Sequence, residues 1–96
     1  MSCYSRTIEI TNRRGLHARA SAKFVNLAAG LSAKVEVEKD GNRVVGTSIM
    51  GLMMLGAGPG STILVQASGK QAREALEAIV ELVNNGFDED SDGAAG

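Results

Sequence analysis

Ala33-Lys34-Val35-Glu36-Val37-Glu38-Lys39-Asp40-Gly41-Asn42-Arg43-Val44-Val45-Gly46 decides the fold class. Ala33, Val35 and Val37 alternate with Lys34, Glu36 and Glu38, so Ala33–Lys39 reads as a strand with one buried face and one wet face. Asp40-Gly41 is a hairpin turn signal, because both residues tolerate the positive φ that a tight two-residue turn requires. Asn42–Gly46 is then the return strand. A wet-faced hairpin belongs to an antiparallel sheet covered on one side. The strands of an all-parallel sheet, buried on both faces, would read as continuous apolar runs.

On the N-terminal side, Tyr4–Ile10 carries Ile8 and Ile10 at period two and reads as a strand. Thr11–Leu16, with Asn12, Arg13, Arg14 and Gly15, is loop chemistry. Ala18–Ala29 is a helix with Phe24, Leu27, Ala28 and Leu31 at i, i+3, i+4 and i+7. Gly30 stands where a left-handed C-terminal residue is expected, and His17 falls at or just before the helix start.

On the C-terminal side, Ser48–Leu55 reads as a short helix with Ser48 as N-cap. Gly56–Gly60 is a turn, and Thr62–Ala67 is a strand with Ile63, Val65 and Ala67 on one face. Ser68-Gly69-Lys70-Gln71 fits a capping box. It precedes a helix whose stripe is Ala72, Ala75, Leu76, Ile79 and Val83, ending at Asn84-Asn85-Gly86. The order β-α-β-β-α-β-α gives an α+β open-faced sandwich of an antiparallel sheet with helices on one face. Residues 1–86 form the expected domain. Residues 87–96, acidic and rich in Gly and Ala, are expected to be a disordered tail.

The 96-residue length sets one domain as the default. Apolar residues make up 44% of the chain but aromatics only 3%, so the core is expected from Ala, Val, Ile, Leu and Met. The net charge of −1 creates no global field for nucleic acid or an anionic membrane. Cys3 is the only cysteine, which excludes an intramolecular disulfide and fits a reducing cytoplasm. No Cys/His spacing suggests a zinc site, so neither metal nor cofactor is expected. The first residues lack the apolar stretch of a signal peptide, and no apolar run approaches the ~20 residues that span a bilayer.

His17 is the only histidine. A lone surface histidine is more often a spectator, but its neighbours converge on one chemistry. Gly15 and Leu16 precede it, Ala18 begins the helix, and Arg19 follows within the first turn. A helix N-terminus offers free N–H groups and a positive dipole end to a phosphate. Arg19 can neutralise charge on a transferring phosphoryl group. A histidine ring nitrogen with a free lone pair is a competent nucleophile.

Gly15-Leu16-His17-Ala18-Arg19-Ala20-Ser21-Ala22-Lys23-Phe24 resembles the active-site segment of the HPr phosphocarriers of the bacterial phosphoenolpyruvate-dependent phosphotransferase system. Gly46-Thr47-Ser48-Ile49-Met50-Gly51-Leu52-Met53-Met54-Leu55-Gly56 is similar to that family's second signature. The resemblance runs from Tyr4 to about Asn85. It implies a four-stranded sheet of order 1-4-2-3, phosphorylation of His17 Nδ1 by Enzyme I, assistance from Arg19, and onward transfer to an EIIA-type protein. It also implies a monomer. The sugar-transport members carry Pro where this chain has Ala20. Ala there is more similar to the nitrogen-related branch or to HPr-like proteins of some proteobacteria, which leaves the pathway open between sugar uptake and regulation.

The resemblance also implies that Ser48 is a target of an HPr kinase/phosphorylase, although an N-cap role accounts for a serine there equally well. Ile49, Met50 and Met53 are expected to dock partners, since so short a helix cannot bury every side and Met suits surfaces that fit several partners.

Three other readings compete. An RNA-binding sandwich would need a basic sheet face with aromatics, which the Glu-bearing strands lack. A regulatory module acting only through Ser48 leaves His17 and Arg19 without a role. For a turnover enzyme, no general base, metal set or pocket is visible.

Overall fold

The computed structural model describes residues 3–88. Its elements are β1 (Cys3–Glu9), α1 (Ala18–Ala29), β2 (Lys34–Lys39), β3 (Asn42–Val45), α2 (Ile49–Met54), β4 (Thr62–Ser68) and α3 (Ala72–Asn84), followed by a 3-10 turn at Gly86–Asp88. The order is the one the periodicities predict, with element ends shifted by one residue in most cases.

The sheet is antiparallel throughout, in the order β1-β4-β2-β3. β1 pairs with β4 from Cys3 opposite Ser68 to Glu9 opposite Thr62. β2 pairs with β4 from Lys34 opposite Ser68 to Glu38 opposite Leu64, and with β3 through the hairpin. At the hairpin tip Asp40 and Gly41 both have positive φ, 52° and 84°, as a primed two-residue turn requires. The register sends Ile8, Val35, Val37, Ile63, Val65 and Ala67 to one face, where they are buried. On the opposite, wet face Arg43 reaches Glu38 at 2.9 Å and Glu36 at 3.5 Å.

The helices cover the apolar face. α3 lies on β1 and β4 and touches α1, which in turn packs on α2. The predicted stripe of α3 is buried without exception. In α1, Ala20, Ser21, Phe24 and Ala28 are buried.

Four expectations need correction. First, the core is aliphatic as expected but holds no Met among the described residues, and its two largest fully buried side chains are the aromatic Phe24 and Phe87; Met54 is exposed along with the expected docking residues Met50 and Met53. A six-residue helix offers one face to the interior, and Leu52 occupies it. Second, Ser68 ends β4 rather than capping α3, and the cap position belongs to Gln71, which makes no side-chain cap bond. The Gln71 carboxamide oxygen instead accepts from Ser32 N–H at 2.7 Å, tying the start of α3 to the loop after α1. Third, Gly30 is right-handed, φ −78°, and closes α1 by donating to the Asn26 and Leu27 carbonyls. Fourth, the domain does not stop at residue 86: Phe87 is 1% exposed and belongs to the core. The rest of the acidic segment, from residue 89, lies outside the described residues.

Candidate functional site

His17 is the N-cap of α1, with extended backbone at φ −76° and ψ −179°. Its Nδ1 accepts a hydrogen bond from the backbone N–H of Arg19 at 3.2 Å. The imidazole thus does what Ser or Asp does at other helix starts: it satisfies one of the amides that lack an intrahelical acceptor. A ring nitrogen that accepts carries its lone pair toward the helix end. The α-helical ladder begins with Ser21 N–H donating to the His17 carbonyl at 2.8 Å. The amides of Ala18, Arg19 and Ala20 therefore lie ahead of it, and that of Arg19 is bonded to Nδ1.

The loop before His17 is built to hold this geometry. Gly15 has φ +64°, and a β-carbon there would stand 2.7 Å from Gly58 Cα. Leu16 is buried, and its N–H donates to the Ala57 carbonyl at 2.9 Å. His17 N–H donates to the Gly15 carbonyl at 2.9 Å. The turn Gly56–Gly60, read from sequence only as a connector, is thus the wall against which the Gly15–Leu16 peptide is seated.

Gly15, Leu16, His17, Ala18 and Arg19 form one continuous stretch, buried at Gly15 and Leu16, half-buried at His17 and exposed at Ala18 and Arg19. Arg13 and Arg14, also exposed, add positive charge on the preceding loop. Ser48 is the N-cap of α2, and its Oγ accepts from Gly51 N–H at 3.0 Å. Of the expected docking residues Ile49, Met50 and Met53, Met50 is the most exposed, at 73%. Met54, not singled out for docking from the sequence, is exposed even further, at 80%. These side chains lie on the helix that packs beside α1.

Two residues at the site escaped the sequence reading. Asn12 is buried and donates from its carboxamide to the Gly15 carbonyl at 2.9 Å. Ser21 is buried and donates from its hydroxyl to the Leu16 carbonyl at 3.3 Å. The pattern held a signal for both. Asn12 continues the Ile8, Ile10 parity, and Ser21 lies on the Phe24, Ala28 stripe. A polar residue at an apolar-periodic position needs a bonding partner.

Comparison with known proteins agrees with this geometry. Residues 4–85 match the family described as "PTS HPr component phosphorylation site". The phosphocarrier protein HPr of Pseudomonas putida is 46% identical over 86 residues, covering 88% of this chain and 96% of that protein. The phosphocarrier protein NPr of Escherichia coli K12 is 44% identical over 85 residues, covering 88% and 94%. The structure of HPr-C-His from Thermoanaerobacter tengcongensis superposes with a TM-score of 0.86 at 43% identity, covering 90% of this chain and 97% of that one. Identities this similar to an HPr and an NPr do not divide the two branches, so Ala20 alone does not assign the pathway. The chain belongs to the HPr family of phosphocarrier proteins of the phosphotransferase system.

Proposed function

We propose that His17 is the phosphoryl carrier atom site of this protein, loaded by an Enzyme I-type donor and discharged to an EIIA-type acceptor. The observation that carries this reading is the Arg19 N–H to His17 Nδ1 hydrogen bond at a helix N-terminus. In the neutral ring that accepts at Nδ1, the proton resides on Nε2. The Nδ1 lone pair attacks phosphorus. The bond from phosphorus to the donor's nitrogen breaks, and that nitrogen leaves with the electron pair. The Arg19 amide then shifts its hydrogen bond from Nδ1 to a phosphoryl oxygen. Neighbouring first-turn amides and the dipole stabilise the new negative charge, and in this reading the Arg19 guanidinium adds to that stabilisation. Discharge runs the same steps in reverse on the acceptor's nucleophile.

Ser48 does not need a regulatory role to explain it, since its hydroxyl caps α2. The docking reading of Ile49, Met50 and Met53 is supported by their exposure on a helix beside α1.

The test is incubation with Enzyme I, Mg²⁺ and phosphoenolpyruvate, read by intact mass. We expect one acid-labile phosphate on the wild-type protein and none on His17→Ala. No modification of wild type by several active Enzyme I preparations would end the carrier reading.

A further inference from the structure

Among the described residues, two polar side chains are buried: Asn12 at 5% exposure and Ser21 at 0%. They come from different elements, a loop after β1 and the first turn of α1. Yet both donate to main-chain carbonyls immediately before His17. The Asn12 carboxamide holds the Gly15 carbonyl at 2.9 Å, which also receives His17 N–H at 2.9 Å. The Ser21 hydroxyl holds the Leu16 carbonyl at 3.3 Å, and the Ser21 amide holds the His17 carbonyl at 2.8 Å. The three successive peptide planes 15–16, 16–17 and 17–18 are therefore each pinned by a hydrogen bond. Two of them, the planes that flank the His17 Cα, are pinned by one residue.

Those two planes fix φ and ψ of His17 and so the direction of its Cα–Cβ bond. A buried hydroxyl or carboxamide is costly unless bonded, and the core around it is otherwise apolar. Ala would satisfy the helix better than Ser at position 21. The polar groups act where small errors in aim matter most, since displacement of a reacting group by an ångström can cost about 100-fold in rate.

We propose that Asn12 and Ser21 are positioning residues for phosphoryl transfer, clamping the peptide planes that aim the His17 ring at the incoming phosphorus. This inference rests on His17 being the acceptor.

The experiment compares wild type with Ser21→Ala and Asn12→Ala, and with Val35→Ala as a control that opens the core at the other end of the sheet, level with Tyr4 rather than with the end of β1 that leads to His17. Loading by Enzyme I is resolved into kcat and KM for the carrier, and the His17 ring nitrogens are followed by ¹⁵N NMR. We expect Ser21→Ala to melt close to wild type but to load with kcat lowered roughly tenfold at nearly unchanged KM, with shifted ring resonances. Asn12→Ala should move both readouts in the same direction. Val35→Ala should melt lower and move neither. Wild-type kcat and unshifted resonances in Ser21→Ala would overturn the proposal, as would an equal loss of kcat in Val35→Ala. Should Asn12→Ala fail to fold, Ser21→Ala decides. If wild type itself is never loaded, the carrier reading falls, while the ring resonances of Ser21→Ala still judge the clamp.

Discussion

Gly15 faces the carbonyl of Ala57 with no room for a side chain between them: a β-carbon built on Gly15 would run into that oxygen and stand 2.7 Å from Gly58 Cα. The obstacle is main chain, which cannot swing away as a side chain can, and the backbone at Gly15 is left-handed besides. A Gly15→Ala variant therefore carries about 1–2 kcal/mol of left-handed strain and a further ~1–3 kcal/mol of overpacking. The expected outcome is a melting temperature lower by about 10 °C or more, with slower loading of His17 because the Leu16 N–H to Ala57 seat is displaced. Calorimetry and the Enzyme I assay on the same preparation check it. A wild-type melt would mean that the loop moves aside freely.

Ser48 separates a structural from a regulatory account. Its Oγ accepts from Gly51 N–H, and removing an N-cap oxygen costs about 1 kcal/mol. Ser48→Ala should lower the melting temperature by about 4–8 °C and leave loading of His17 intact. Ser48→Asp keeps an acceptor oxygen at the cap and should melt closer to wild type. Equal losses in both variants would show that the cap contributes less than its geometry implies.

Much of this was legible because hydrophobic period and turn chemistry are local. Val35 and Val37 against Glu36 and Glu38 wrote the half-buried strand, and Asp40-Gly41 wrote the turn. The candidate site at His17 is legible for the same reason: the histidine, the helix start and Arg19 are adjacent in sequence. What escaped is non-local. Asn12, Ala57 and Phe87 matter through partners far along the chain, such as Ala57 to Leu16 and Lys23 to Phe87. Composition in one window cannot show such pairings. Phe87 was lost because an acidic, Gly-rich surrounding outweighed a single aromatic. The Ser68 capping box was lost because β4 keeps its hydrogen-bonded ladder through Ser68, opposite both Cys3 and Lys34.

Met50 tests the docking reading. At 73% exposure its side chain contributes little to the core, so Met50→Asp should melt within a few degrees of wild type. If the exposed face of α2 meets the donor, a charge there should raise KM for Enzyme I severalfold while kcat holds. Steady-state loading kinetics distinguish the outcomes. A collapse of the thermal melt together with activity would place Met50 in the structural rather than the docking account.

Phe87 makes the C-terminal end of the described chain part of the fold. Gly86, Phe87 and Asp88 are left-handed in succession, with φ of 64°, 56° and 56°. For Phe87 and Asp88 that conformation costs about 1–2 kcal/mol each. It persists because it drives the Phe87 ring into the core, where it is 1% exposed. Two hydrogen bonds help, Lys23 Nζ to the Phe87 carbonyl at 2.8 Å and Asp88 N–H to Asn85 at 3.2 Å. Phe87→Ala keeps the strain and loses the burial, so the expected cost is about 3–5 kcal/mol, a large share of the ~5–15 kcal/mol that holds a typical domain. Phe87→Leu refills most of the space and should lose less. A chain ending at residue 86 should behave like Phe87→Ala, whereas one ending at residue 88 should not. Denaturant midpoints for the four proteins check the ranking. Equal midpoints would mean that the ring is held in place by the turn rather than holding it.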